Sequence, residues 1–430
     1  DATSYVRPSP VRRIAVLSQH ILPEVDDISG LSLNPVSNSR NCPIYHPDIQ
    51  AYEFRSYQHV KTLFDLPPET IAAGKKGTEH FAKYADRHPE IKMWLDGVVF
   101  QDGPKHQVLK NAYLSYISLK KVEEMKPVVE KIVDELLSSL PKGVPIDLQS
   151  RFSRQLSTTI ICYLCGLSKE YASRIIAVTD KIEAASVTFQ EKNVQEAIPA
   201  IIELCNLVSQ LFEETRALQT QHSSVPFQGR VADHQHETFA LWLLKQEKEQ
   251  TLTSYQIQVI MTTALFGGNG TTSHFISNAV YSLLKHPDQL DILQRNPSLV
   301  NQAVEELLRF IGSPARVFQR YAVKKIPLGE VAPEKEGILL NIRAANHDPE
   351  KFPNPDKVDI RRETSIPHLA FGSGAHICPG RHLARLEAQT ALRELLKRFP
   401  GMKFAVEESA IKFKGMQAIT ILESLPVILQ

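Results

Sequence analysis

A single cysteine in a glycine-rich run constrains this chain more than any other feature. Residues 371–385 read FGSGAHICPGRHLAR, and beyond them Ala384, Ala388, Ala391, Leu392, Leu395 and Phe399 recur at helical spacing. Cys378 therefore lies just ahead of an amphipathic helix. The positive end of that helix is expected to lower the thiol pKa and favour thiolate. Gly372, Gly374 and Gly380 are expected to take left-handed angles and to let the backbone approach a flat ligand. Pro379 removes one amide beside the sulfur and leaves the Gly380 N–H as the nearer donor. A lone thiolate in a close-fitting loop suits haem iron. Zinc needs further cysteines or histidines at short spacing, and only His376 and His382 lie nearby. For the cysteine taken alone, the alternative is a buried free thiol in a helix-capping loop.

The run Phe371-Gly372-Ser373-Gly374-Ala375-His376-Ile377-Cys378-Pro379-Gly380 resembles the haem-binding signature of the cytochrome P-450 monooxygenases, F-x-x-G-x-[HR]-x-C-x-G. The resemblance is to the soluble bacterial type. It implies a mainly α protein with a smaller β-rich part, the cytochrome P-450 fold: a triangular prism with haem between a long distal helix and the Cys-loop helix. It also implies haem b (iron protoporphyrin IX), with Cys378 on the iron and Phe371, Gly372, His376 and Gly380 in the cofactor's loop.

Bulk properties narrow the remaining classes. The chain has 430 residues and no evident linker, repeat or low-complexity block, which reads as one haem-binding domain over 1–430. With 49 basic and 48 acidic residues the net charge is +1, so nothing global points to nucleic acid or to a membrane surface. Cys42, Cys162, Cys165, Cys205 and Cys378 are odd in number and unevenly spread, which argues for a reducing compartment. Cys162 and Cys165 sit in the apolar run TTIICYLCGL and read as core side chains. No stretch approaches the roughly 20 apolar residues of a membrane span, so a soluble, cytoplasmic protein is expected, and it is expected to be a monomer. The chain begins at Asp1, and an upstream segment is compatible with that.

Along the chain, residues 1–50 read as an irregular arm and 51–60 as a strand or the start of a helix. Residues 81–95 read as a loop-rich region over a pocket or a plain connection. Asp102-Gly103-Pro104 starts a helix that carries His106 and Lys110 on one face. Alone they are an exposed pair; the family resemblance makes them propionate ligands, with Lys110 where arginine is usual and without its bidentate fork. Helices are expected over 121–139 and 148–167. Three more are expected between Ser168 and Thr215, with a break at Phe189 to Asn193; in the family an equivalent pair roofs the substrate pocket. His222, His234 and His236 lie in a polar, loop-like stretch where metal binding is the lesser reading.

The longest helix is expected from a Thr253–Gln256 capping box to Lys285. Gly267, Gly268 and Gly270 interrupt it at about 1 kcal/mol each, a cost that close approach of a ligand would explain. A loop between two shorter helices is the alternative. Thr271 and Thr272 follow, and a threonine hydroxyl at an opened turn bonds a ligand or water. In the family this stretch is [AG]-G-x-[DE]-T-[TS], in which the acid and the first threonine help deliver protons. Here Gly270 replaces the acid. Thr271, Thr272 and Asn269 are the candidate catalytic residues, and Gly268 a cofactor contact.

Glu306 and Arg309 form an E-x-x-R that, with Arg362, matches the family's structural network. Arg320 matches its propionate-binding arginine, with Arg316 competing. Residues 338–342 read as a strand, and Ala345-Asn346-His347-Asp348-Pro349 resembles A-N-R-D-P, with His347 for arginine. The tail reads as strands and a turn. Val98, Val99, Leu265, Phe266, Ala315 and Gln417 are candidate substrate-pocket residues, although core packing explains most of them equally well.

The resemblance implies oxygen-dependent monooxygenation, by hydroxylation or epoxidation, of a small apolar or secondary-metabolite substrate. Electrons would come from a ferredoxin or flavodoxin and its reductase. Lys120, Lys121, Arg381 and Arg385 are candidates for a basic docking face. Gly270 keeps a peroxide-using or non-oxygenating haem-thiolate catalyst open, and a haem-based binding or sensor protein is the non-enzyme alternative.

Overall fold

The periodic apolar residues organise a helical body around one central helix. A computed structural model of the chain describes residues 43–47, 50–73, 79–188, 191–220, 237–316, 319–326, 337–363, 367–414 and 419–430. In the helix Gly270–Lys285 every residue from Thr272 to Leu283 is buried, as expected of a helix enclosed on all sides. The helices Arg154–Cys165, Val300–Ile311 and Arg381–Arg398 pack around it, and Leu119–Ser138 lies against the last of these. Two of its buried polar side chains find partners across the contacts: Asn278 Nδ2 donates to Thr420 O at 3.0 Å, and the Ser153 and Ser277 hydroxyls pair.

The expected long helix is two helices. Ser254–Gly267 opens on the Thr253–Gln256 capping box, and Gly270–Lys285 continues beyond an interruption at Gly268 and Asn269. Between Ser168 and Thr215 there are a 3-10 turn, Lys169–Tyr171, and two helices rather than three, Ala172–Thr188 and Glu191–Thr220. The second passes through Pro199 because its buried stripe of Val194, Ala197, Ile201, Leu204, Val208 and Leu211 is unbroken. Residues 81–95 are not loop-rich: they carry two short helices, Glu79–Ala85 and Pro89–Leu95, held by buried Phe81 and Trp94.

Residues 51–60 contain both expected elements. The strand Ala51–Phe54 leads into the helix Tyr57–Asp65, whose N-cap Ser56 accepts from the His59 amide. That strand runs parallel to Gly337–Leu340 in a five-stranded sheet ordered Ile44–His46, Ala51–Phe54, Gly337–Leu340, Arg320–Ala322, Ile71–Ala73. A second core containing Phe54, Phe64, Ile338 and Leu340 packs on this sheet. Near the C-terminus, Pro145–Asp147, Pro426–Ile428 and Lys403–Phe404 form a three-stranded sheet, and Phe413–Lys414 pairs with Ile421–Leu422. His222, His234, His236 and Gln417, with the arm before residue 43, lie outside the described residues. Among the described residues no helix is long and apolar enough to cross a membrane, and no group of three His, Cys, Asp or Glu side chains is placed to hold a metal ion. Cys162, Cys165 and Cys205 are buried free thiols, and burial pushes all three up, Cys162 and Cys205 to about 12.

Candidate active site

The cysteine loop is a tight backbone construction. Gly372 N donates to Leu369 O at 2.8 Å, Cys378 N to Phe371 O at 3.0 Å and Ile377 N to Gly374 O at 3.2 Å. Gly372 and Gly374 have φ of 70° and 65°. What presses on them is the helix Tyr57–Asp65: a Cβ on Gly374 would lie 2.4 Å from Phe64 O, and one on Gly372 3.4 Å from the Phe64 ring. Ser373 Oγ ties the loop to Asp65 Oδ1 at 2.8 Å. Gly380 departs from the expected left-handed angle. With φ of −78° it is the N-cap of Arg381–Arg398, and its amide hydrogen-bonds Cys378. Burial pushes the Cys378 thiol up, and the Gly380 N–H, Arg381, Lys110 and Arg385 oppose this without overcoming it. The helix end alone therefore does not produce the expected thiolate; a bound metal ion would.

Beside the loop a cluster of basic side chains converges from three segments. His106, 4% exposed, lies against His376 with ring centroids 4.1 Å apart and the rings tilted by 35°. His376 Nε2 lies 3.0 Å from Asp102 Oδ1. Lys110, also buried, donates to Ala375 O. The Arg320 guanidinium lies over the Phe64 ring at 5.6 Å, and it makes no hydrogen bond to a described side chain. Burial first, then the neighbouring His376 and Lys110, push His106 down to about 4. Burial also lowers His376 and Lys110. Among the described residues, compensating charge comes from Asp102 at His106, His376 and Arg320, and from Cys378 at Lys110. Such a donor set fits a ligand bearing carboxylates, as haem does with its propionates. Arg316 is committed elsewhere, 3.0 Å from Glu53 Oε1, which leaves Arg320 as the arginine of this cluster.

At the break in the central helix the three glycines do three different things. A Cβ on Gly267 would meet nothing within 4 Å, whereas one on Gly268 would strike the Ile161 side chain at 2.7 Å. Gly268 thus serves helix packing rather than cofactor contact, and only Gly267 faces open space. A Cβ on Gly270 would lie 2.9 Å from Glu183 Oε2. The Thr271 hydroxyl donates to Gly267 O at 3.2 Å across the break. Asn269 does not share that open face. It is fully buried, accepting from Thr158 Oγ1 at 2.6 Å and donating to Thr179 Oγ1 at 2.8 Å, so its amide is spent on joining helices. Thr272 is buried one residue further on.

Supporting groups and pocket positions separate in the same way. Glu306 accepts from Arg309 at 2.8 Å and 2.8 Å and from Arg362 at 3.1 Å and 3.0 Å. Arg309 also donates to Asn346 O at 2.9 Å, and Asn346 Oδ1 receives the Leu369 amide at 2.7 Å, where the cysteine loop begins. His347 lies 2.9 Å from Phe310 O and 2.8 Å from Asp356. Leu265 has no accessible surface and Ala315 almost none, so both belong to the core rather than to a pocket wall. Val99 is 41% exposed, while Val98 and Phe266 are half-buried. The four-residue basic face is thinner than expected. Arg385 is held by Glu305 at 2.6 Å and 2.8 Å, Arg381 donates to Cys378 O and Lys121 donates to Glu237 O, which leaves Lys120 exposed.

Sequence reasoning missed Asp65, Glu183, His274 and Glu387. Glu183 had one legible signal, a carboxylate spaced by four from Thr179 on the buried stripe Ile175, Thr179, Ile182.

A family model described as Cytochrome P450 matches residues 67–297 and 295–406. The chain is 32% identical over 374 residues to cytochrome P450 CYP107DY1 of Priestia megaterium, covering 86% of each. It is 30% identical to the 6-deoxyerythronolide B hydroxylase of Saccharopolyspora erythraea, covering 76% of each. Among solved structures it is similar to the myxobacterial cytochrome P450 CYP267B1 in complex with myristic acid, with a TM-score of 0.78, 26% identity, and 90% of this chain and 93% of that one covered. Family model, relatives and fold agree: the chain belongs to the cytochrome P450 family.

Proposed function

We propose that this P450-type monooxygenase hydroxylates or epoxidises a small apolar or secondary-metabolite substrate, taking electrons from a ferredoxin or flavodoxin and its reductase, and that it acts as a monomer with one haem-binding domain. The relatives named as 6-deoxyerythronolide B hydroxylase and cytochrome P450 monooxygenase PikC support the substrate class. The observation that carries the reading is the Thr271 hydroxyl bonded to Gly267 O at 3.2 Å, beside the open space at Gly267.

In this reading Cys378 Sγ holds the iron, and His106, Lys110, Arg320 and His376 hold the cofactor's carboxylates. Bound haem supplies the oxygen-activating iron chemistry, with the thiolate pushing electron density toward the metal. Thr271 Oγ1, which donates to Gly267 O, accepts from a water at the break and passes a proton to it when the hydroxyl turns from that carbonyl. Val98 and Phe266 are the pocket positions left half-buried by the packing. A peroxide-using reading rests on Gly270, which places no acid on the central helix.

The test is turnover of a substrate that shifts the ferric haem spectrum. Product with reduced donor plus oxygen is expected; product with hydrogen peroxide alone would favour the second reading.

A further inference from the structure

Gly270 leaves room at the break, and a side chain from a neighbouring helix fills it. A Cβ on residue 270 would lie 2.9 Å from Glu183 Oε2, 3.4 Å from Glu183 Cδ and 3.3 Å from an Arg154 guanidinium nitrogen. Glu183 therefore stands where a carboxylate grown from position 270 would have to go. It is 7% exposed. Its Oε1 lies 2.8 Å from His274 Nε2, and its Oε2 lies 3.9 Å from Arg154. Arg154 also bonds Ser273 Oγ at 3.3 Å, and Ser273 Oγ donates to Gly270 O at 2.8 Å. On the other side Arg154 pairs with Asp180, whose side chain is 55% exposed, so the cluster reaches the surface. The second ring nitrogen of His274, Nδ1, is buried without a partner among the described residues.

Burying a carboxylate, a guanidinium and an imidazole together is costly unless each is fully satisfied, and an orphaned ring nitrogen leaves this cluster incomplete. A polar, unsatisfied site of this kind suits a water or a travelling proton rather than a scaffold. We propose that Glu183, positioned by His274, is the distal acid of this enzyme, supplying from the helix Ala172–Thr188 the proton function that residue 270 does not carry. This rests on the monooxygenase reading above. His274 occupies Oε1, which leaves Oε2, the oxygen facing residue 270, to carry the proton. In the step, the Glu183 carboxylate first takes a proton from solvent at the Asp180 edge; that O–H bond then breaks as an O–H bond forms on a water held at the Thr271 face, the water gives up another of its protons to the dioxygen being reduced, and Glu183 is left as the carboxylate. Two such transfers per turnover, with two electrons from the ferredoxin or flavodoxin donor, balance the reduction of one oxygen atom of dioxygen to water while the other enters the substrate. The titratable and charged groups facing Glu183 are His274, Arg154, Lys414 and, beyond Arg154, Asp180. Burial raises its pKa, but the first three bring it below the ordinary carboxylate value. Glu183 thus rests as a carboxylate ready to accept a proton.

The test uses the haem-loaded enzyme with donor and oxygen, comparing wild type, Glu183→Gln, Glu183→Ala, Gly270→Asp and the double variant Glu183→Ala with Gly270→Asp. Glu183→Gln is expected to lower product formed per electron pair at least about tenfold, as loss of a general acid does. It should also raise peroxide release and change the solvent isotope effect, while the spectral Kd of substrate and peroxide-driven turnover stay within about twofold. The double variant returns an acid to the same space and should recover most of the coupling. A readout independent of turnover is the thermal midpoint: Gly270→Asp alone falls because two carboxylates contend for one site, and the double variant regains stability relative to both single changes. Wild-type coupling and isotope effect in Glu183→Gln would overturn the proposal, as would strictly additive midpoints. A wild type that makes product only from peroxide would instead overturn the monooxygenase reading, and this proposal with it.

Discussion

Glu306 and Arg362 meet through two contacts of 3.0 and 3.1 Å, with Arg309 bound to the same carboxylate at 2.8 Å. Through Arg309 and Asn346 this network reaches the Leu369 amide at the entry to the cysteine loop. Glu306 is 1% exposed and Arg309 3%. Glu306→Gln leaves two guanidinium groups without a counter-charge, one fully buried, and should cost about 3–5 kcal/mol. Urea unfolding measures it. A loss below about 1 kcal/mol would show that backbone carbonyls alone satisfy the arginines.

The two kinds of glycine in the loop should respond differently. Gly374→Ala places a Cβ 2.4 Å from Phe64 O at a φ of 65°, and the combined clash and strain should cost more than about 2 kcal/mol. Gly380→Ala places one 3.8 Å from Cys378 Sγ at a φ of −78°, an ordinary contact that should change stability by less than about 1 kcal/mol. Equal midpoints for the two variants would contradict this assignment.

Glu387 gives the stability curve a defined pH dependence. It is 2% exposed and accepts from Ser157 Oγ at 2.9 Å. Burial pushes its carboxyl up to about 8, from an ordinary value of 4.5. Because the folded pKa lies above the unfolded one, its stabilising contribution is complete below pH 4.5 and is lost as pH rises through 8. Within that window the slope is about 1.4 kcal/mol per pH unit. Glu387→Gln should flatten the curve and be the more stable protein above pH 8. Parallel pH profiles for the two proteins would contradict a neutral Glu387.

Arg320→Ala should weaken haem retention by about 10- to 100-fold, the worth of one charge-assisted hydrogen bond. Arg316→Ala should instead disturb the Glu53 pairing and leave haem release close to wild type. Haem transfer to a scavenging apoprotein reads both rates. Equal rates would remove Arg320 from the carboxylate-binding cluster.

The proximal residues were legible because local sequence writes them: a loop, a cap and a helix within fifteen residues of Cys378, and an E-x-x-R whose spacing already puts both side chains on one face. The distal side was not. Asn269 read as a catalytic polar residue, but its side chain direction depends on Thr158 and Thr179, which two other helices bring in. Gly270 read as a missing acid, whereas Glu183 fills the gap from about ninety residues away. The glycine pattern announced a break in the helix without saying which glycine faces a ligand and which a neighbouring helix. Those distinctions are set by packing between helices, which periodicity does not encode.

The central claim, Cys378 as the thiolate ligand of haem iron, is tested most directly by the reduced carbon monoxide spectrum of wild type and Cys378→Ser. The wild type should show the long-wavelength band of thiolate-ligated haem, and the serine variant should lose it. An unchanged band in Cys378→Ser would contradict the assignment.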